Sequence, residues 1–118
     1  MLYIKNIYGV TDLNITVKCY SSLPRLLLMC AAIYIAREKD SGYMTRGLIL
    51  NITSLFKDNA DLILSGTELK VIYQWLSVSC EFLVQGDKNE AEEIITQLSD
   101  ILSKYSLIKK QNKYLLCS

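Results

Sequence analysis

The chain has 118 residues, of which 51% are apolar, and its 13 basic and 12 acidic side chains leave a net charge of +1. A chain of this length forms one domain, and so balanced a charge excludes a whole-molecule attraction to nucleic acid or to an anionic membrane. A single Pro and only five Gly suit a compact helical fold. We therefore predict one all-α domain that binds neither nucleic acid nor membrane.

Several sequence features on which catalysis commonly depends are missing from this chain. It contains no His, the commonest general base and a frequent metal ligand. Its four cysteines form no C-x-x-C pair, and there is no Gly-rich phosphate loop. We therefore expect a protein that works by binding, with no catalytic residue, no metal and no cofactor. No secretory signal opens the chain, which favours a cytoplasmic location.

Residues 1–20 differ from the rest of the chain because their apolar residues alternate with polar ones. Leu13, Ile15, Val17 and Cys19 are spaced two apart, which is the period of a β-strand. An earlier apolar stretch, residues 2–8, predicts a first strand, with a turn between the two. A hairpin and an extended arm lying over the helices both fit this pattern.

Residues 22–108 show the period of helices, and for them we predict an antiparallel up-and-down four-helix bundle. The first helix begins at Ser22, with Pro24 in its opening turn. Its residues 26–36 are apolar nearly all round, as in a helix surrounded by others. The second helix spans about residues 43–59, and residues 109–118 form a tail that packs back on the bundle or lies free.

The third predicted helix extends from Ser65 to Gly86 and has two apolar stripes. Ser65 and Glu68 have the spacing of a capping box, and Gly86 predicts the end of the helix. Asp87 then caps a fourth helix. One stripe of the third helix contains Leu69, Ile72, Leu76, Cys80 and Leu83. The other, which we call the Trp75 row, contains Val71, Trp75, Val78 and Phe82.

One apolar stripe is enough to dock a helix on a core, so the Trp75 row needs a separate cover. We predict this row as the partner-binding site, with Trp75 as its main contact, because Trp is frequent among binding hot spots. Burial of the same residues by the first helix and the N-terminal arm is the alternative, and for a single residue it is the commoner arrangement. A third hypothesis combines the two: the arm covers the row and moves aside when a partner binds.

Three short segments resemble the FliS-type flagellin export chaperones, which are small cytoplasmic helical bundles. Residues 22–29, SLPRLLLM, resemble the Ser-Pro-rich start of the first long helix in that family. Ile72-Tyr73-Gln74-Trp75 resembles a Leu-Tyr-x-Tyr-like helical segment of the family. Gly86-Asp87-Lys88-Asn89 resembles the polar turn before the last helix. The resemblance covers about residues 20–108.

This resemblance implies a chaperone that holds the amphipathic C-terminal segment of flagellin as helices in apolar grooves before export. The Trp75 row would be one such groove. Two other classes stay open. One is a small viral Bcl-2-like protein, which also offers a groove to an amphipathic helix. The other is a self-associating structural subunit whose seam is the Trp75 row. The protein is accordingly predicted to be a monomer or a homodimer with a protein partner.

Overall fold

The computed structural model describes residues 2–8, 14–18, 22–39, 42–58 and 61–117, most of which are helical. Its elements, in chain order, are β1 (Tyr3–Tyr8), β2 (Asn14–Lys18), α1 (Leu23–Glu38), α2 (Tyr43–Asp58), β3 (Leu62–Ser65), α3 (Gly66–Ser79), a 3-10 turn (Cys80–Phe82) and α4 (Gln85–Cys117). The prediction of a mostly helical chain is confirmed. No helix in the described ranges is long and apolar enough to cross a membrane.

The three strands form one antiparallel sheet in the order β1-β2-β3, with β2 in the middle. Tyr8 lies opposite Asn14, so the first two strands pair as a hairpin, which is one of the two arrangements that the sequence left open. β3 pairs with the other side of β2, with Leu64 opposite Ile15. The fold is therefore mostly helical but not all-α. The turn predicted between the first two strands lies outside the described residues.

One face of the sheet is buried against the helices. Ile15 and Val17 on β2, together with Leu62 and Leu64 on β3, are each at most 5% exposed. The intervening Ile63 faces outward, as expected for an antiparallel sheet with one solvated side. The alternating apolar residues of the N-terminal segment therefore belong to a strand, β2, whose buried side chains form part of the core.

Gln97 of α4 holds the residue that precedes β1. The Gln97 side-chain nitrogen donates to the Leu2 carbonyl oxygen at 2.9 Å, and Gln97 Oε1 accepts from the Leu2 N–H at 2.7 Å. The Leu2 side chain is itself buried. The hairpin is thus bonded to α4 and contributes Ile15 and Val17 to the core, which makes it a structural layer rather than a detached cover.

The central helix is α3. It packs mainly on α1 and α4 and also contacts α2 and β3, while α2 packs mainly on α1. The helices therefore follow the spatial order α2-α1-α3-α4. In a closed four-helix bundle α4 would also pack along α1, so the closed bundle is not confirmed. An ion pair does join the first turns of α1 and α4, from Arg25 to Asp87 at 2.8 Å.

The first half of α1 is buried, and its second half is not. Its buried apolar residues are Leu23, Leu26, Leu27, Cys30 and Ala31. Further along the helix, Ile33 and Ile35 are half-buried, whereas Ala32 and Ala36 are exposed. The prediction that residues 26–36 are surrounded on all sides is therefore wrong beyond residue 31, where α1 has solvent on one side.

The helix starts follow the local sequence signals. α1 begins at Leu23 with Pro24 in its first turn, as predicted. The capping box of α3 is present. The Glu68 N–H donates to Ser65 Oγ at 3.2 Å, and the Ser65 N–H donates to Glu68 Oε1 at 3.0 Å. These two bonds satisfy backbone donors that the first turn of a helix leaves without a partner.

The helix ends follow the local signals less well. α3 ends at Ser79, and Leu83 is already extended, with φ −87° and ψ 150°. Gly86, the predicted end, lies instead in the first turn of α4. α4 begins at Gln85 and continues through the predicted tail to Cys117. The predicted break at Gly86 is wrong because the chain leaves the helical conformation several residues earlier.

Candidate partner-binding site

The first stripe of α3 lies in the core. Leu69, Ile72 and Leu76 are each at most 2% exposed. Cys80 and Leu83, which continue the stripe in sequence, are half-buried and lie beyond the end of the helix. The part of the stripe that lies on the helix therefore has its cover within the chain, as an ordinary docking face does.

The Trp75 row is graded from core to surface. Trp75 has no exposed surface, Val71 and Val78 are half-buried, and Phe82 is 49% exposed. In this structure Trp75 is thus a core residue, and Phe82 is the member of the row that presents large apolar surface to solvent. Partner binding by the row stays a prediction.

The end of α3 explains why Phe82 is exposed. From Cys80 onward the chain forms a 3-10 turn, which has about three residues per turn, so its side chains leave the face set by α3. Arg37 of α1 covers one side of the Phe82 ring, with its guanidinium carbon 4.8 Å from the ring centroid. Val84, nearby in the chain, is 72% exposed. We call Phe82 and Val84 the Phe82 tip.

Trp75 is buried with one polar atom unsatisfied. The Ser79 hydroxyl donates to the Trp75 carbonyl oxygen. Trp75 Nε1, in contrast, has no hydrogen-bond partner in the described part of the chain. A buried donor without a partner costs about 1–3 kcal/mol. The apolar burial of the indole ring must outweigh that cost.

A groove that the sequence does not predict lies between the middle of α2 and the start of α3. This α2 groove has a volume of about 620 Å³, within the usual range of binding clefts. Its lining residues are Arg46, Gly47, Leu48, Leu50, Asn51, Ser65 and Glu68. Leu50 is 71% exposed, so apolar surface at the groove is open to solvent.

Gly47 keeps one wall of the α2 groove without a side chain. No atom lies within 4 Å of the position that a Cβ on Gly47 would occupy. A Gly inside a helix destabilises it by about 1 kcal/mol relative to Ala. The Gly at this position therefore costs α2 some stability and leaves space beside Leu48 and Leu50.

The two charged residues at the α2 groove have different surroundings. The Glu68 carboxylate is half-buried, and its Oε1 accepts the Ser65 N–H in the capping box. Arg46 is exposed on α2 and places a positive charge on the same rim. The groove therefore combines apolar walls with one exposed cation, Arg46, and one carboxylate, Glu68, that is already hydrogen-bonded to the Ser65 N–H.

The cysteine thiols near the end of α3 are not activated. Burial raises the pKa of the Cys30 thiol, and it also raises the pKa of Cys80. A raised pKa keeps a thiol protonated at neutral pH, and the protonated form is a poor nucleophile and metal ligand. The residues that the structure describes contain no group of three or more His, Cys, Asp or Glu that could hold a metal ion.

Leu50 is the sequence feature that points to the α2 groove. The apolar face that spacing predicts for the second helix contains Met44, Leu48, Ile52, Leu55 and Phe56. Leu50 lies about 200° around the helix from Leu48, on the side where a polar residue is expected. The opposite wall comes from Ser65 and Glu68, and no local pattern indicates that these residues lie near α2.

No protein-family model, curated protein or solved structure matches this chain. The resemblance to the flagellin export chaperones thus rests on the three sequence segments alone.

Proposed function

We propose that this protein is a non-enzymatic chaperone that holds an amphipathic helical segment of a partner protein in the α2 groove. The groove itself carries the proposal, because it is open, has apolar walls and measures about 620 Å³. Leu50, 71% exposed at this groove, offers apolar contact to an incoming helix. The absence of His from the whole sequence supports a binding role rather than catalysis.

The polar groups at the α2 groove favour a protein segment over a small polar molecule. Small-molecule sites usually place several convergent polar groups around the ligand. Here Ser65 and Glu68 are bonded to each other through the capping box. An amphipathic helix needs mainly apolar contact, from side chains spaced three, four and seven residues apart. Leu50, 71% exposed at the groove, supplies that kind of contact.

Filling the α2 groove is the most direct test. Gly47→Leu adds a side chain where a Cβ meets no atom within 4 Å, so we expect the fold to be retained while the groove becomes smaller. Gly86→Leu is the matched control, because Gly86 is equally open but does not line the groove. Fluorescence anisotropy would use two labelled peptides. One covers the C-terminal segment of flagellin, the client that the resemblance implies, and the other is a Leu-rich amphipathic model helix.

We expect Gly47→Leu to weaken peptide binding by about tenfold or more, and Gly86→Leu to leave it unchanged. Binding of the model helix without binding of the flagellin peptide would exclude flagellin as the client but would still support the α2 groove as a site for amphipathic helices. Unaltered binding by Gly47→Leu, or no binding of either peptide by the wild type, would contradict the proposal. Circular dichroism of each variant would confirm that its helices are intact.

The Phe82 tip is the second candidate surface and preserves part of the predicted Trp75 row. Phe82 is 49% and Val84 72% exposed, and Arg37 adds a cation beside them. Aromatic residues and Arg are enriched among binding hot spots. Phe82→Asp in the same peptide assay separates the two surfaces. If Phe82→Asp weakens peptide binding more than Gly47→Leu does, the partner-binding site is the Phe82 tip rather than the α2 groove.

A further inference from the structure

Arg46 places a positive charge at the α2 groove that no group in the described ranges neutralises. Its side chain is exposed and lines the groove. Among the described residues the Arg46 guanidinium forms no hydrogen bond and no ion pair, whereas the exposed Arg25 is paired with Asp87 at 2.8 Å. A guanidinium can bind a carboxylate through two parallel hydrogen bonds. The rim of the groove is therefore suited to an incoming carboxylate.

The other charged residue of the groove, Glu68, does not supply that carboxylate. Glu68 lies in the first turn of α3, and its Oε1 accepts the Ser65 N–H at 3.0 Å. The positive end of the helix dipole also stabilises a carboxylate at this position. No ion pair joins Glu68 to Arg46 in the described part of the chain. The negative charge of Glu68 is thus balanced by α3 itself, and the charge of Arg46 is left for a partner.

The spacing along α2 relates this charge to the apolar surface of the groove. Arg46 and Leu50 are four residues apart, so they share one face of α2 and are about 6 Å apart along its axis. Gly47, three residues before Leu50, leaves open space beside them. A partner helix aligned with α2 has the same rise per residue. Its residue at Arg46 is therefore four positions from its residue at Leu50.

We propose that the α2 groove selects amphipathic helices that carry an Asp or Glu four residues from an apolar anchor. The anchor packs on Leu50 and into the space beside Gly47, and the carboxylate binds the Arg46 guanidinium. Charge complementarity identifies this occupant, because a helix with Lys at the same position would bring two cations together on the rim. The inference rests on the chaperone function proposed above and adds the chemistry of the client segment.

Three versions of the Leu-rich model helix test this selection, with Glu, Gln or Lys four residues from a central Leu. Each is made with the variable residue before and after that Leu, which covers both directions of the helix along α2. In fluorescence anisotropy we expect the wild type to bind the Glu version about three- to fivefold more tightly than the Gln version, since an exposed ion pair contributes little. The Lys version should bind least tightly. High salt should reduce these differences.

Charge reversal in the protein assigns the preference to Arg46. Arg46→Glu should reverse the order, so that the Lys version binds best. Lys70→Glu is the matched control, because it makes the same change of charge at an exposed position of α3 that does not line the groove. It should keep the wild-type order. A Glu preference that survives Arg46→Glu with intact helical circular dichroism, or an order that Lys70→Glu reverses equally, overturns the proposal.

The selection and the groove can fail separately. Equal binding of all three versions, weakened by Gly47→Leu, would overturn the acidic selection and leave the chaperone proposal standing. No binding of any version would contradict both. Sedimentation velocity of the wild type without peptide examines the other occupant, a second copy of the chain. A dimer that Gly47→Leu dissociates would assign the groove to that copy and overturn the inference.

Discussion

Trp75 and Phe82 are seven residues apart in the same apolar row, but their side chains differ in exposure to water. Trp75 is enclosed by the core and has no exposed surface, whereas Phe82 is 49% exposed and has Arg37 over one face. Between them α3 ends, at Ser79, and a 3-10 turn begins. Residues placed in one row by helical spacing therefore share one environment only as far as the helix extends.

Truncation of each aromatic ring is the strongest test of this contrast. Trp75→Ala leaves a cavity in the core, and we expect it to lower the free energy of unfolding by about 3–5 kcal/mol. Phe82→Ala loses mainly the contact with Arg37, and we expect a loss of at most about 1 kcal/mol. Urea unfolding followed by far-ultraviolet circular dichroism measures both. Losses of equal size would show that Phe82 is packed as tightly as Trp75.

The start of α3 extends the contrast, because two reciprocal bonds between Ser65 and Glu68 cap its first turn. At the other end the Ser79 hydroxyl bonds within the helix, to the Trp75 carbonyl oxygen. Ser65→Ala removes the oxygen that accepts the Glu68 N–H, and we expect it to lower the free energy of unfolding by about 1 kcal/mol. Ser77→Ala is the control, since Ser77 is exposed within the same helix and Ala has the higher helix propensity. Thermal unfolding compares the two variants. An equal loss for Ser77→Ala would show that the capping box does not hold the start of α3.

The sequence predicts those parts of the fold that depend on neighbouring residues. The alternation around Ile15 and Val17 predicts the buried strand, Pro24 predicts the first turn of α1, and Ser65 with Glu68 predicts the capping box. In each case the signal and its structural consequence lie within a few residues of each other. Local spacing and local hydrogen bonds are sufficient to specify such features.

The parts that the sequence does not predict depend on contacts between distant segments. β3 has only four residues, and it is a strand because Leu64 pairs with Ile15, which lies far away in the chain. The α2 groove likewise exists because the middle of α2 lies near Ser65. The two apolar stripes of the third helix agree with the packing of α3 on both α1 and α4, although from the sequence we predicted the first helix as the surrounded one. They do not predict which end of the Trp75 row is exposed, because that depends on where α3 stops.

The smallest expected effect concerns two cysteines, one in the buried core with Trp75 and one in the 3-10 turn with Phe82. Cys30 is fully buried, whereas Cys80 is half-buried in the 3-10 turn. Burial raises the pKa of the Cys30 thiol because apolar surroundings disfavour the thiolate, and a hydrogen bond with Ser79 offsets part of that rise. In the unfolded chain the same thiol ionises at its ordinary pKa of about 8.5.

Below that pH both states keep the proton, and the thiol does not affect stability. Above it the unfolded chain loses the proton first, so the free energy of unfolding falls with rising pH until the folded thiol ionises as well. We therefore expect urea unfolding between neutral and alkaline pH to show a decline that Cys30→Ala flattens. Cys80→Ala should flatten the decline less, because a half-buried thiolate still reaches water. Identical pH slopes for the two variants would mean that the chain around Cys80 is as closed as the core around Cys30. In that case the buried core would extend along the chain beyond the end of α3.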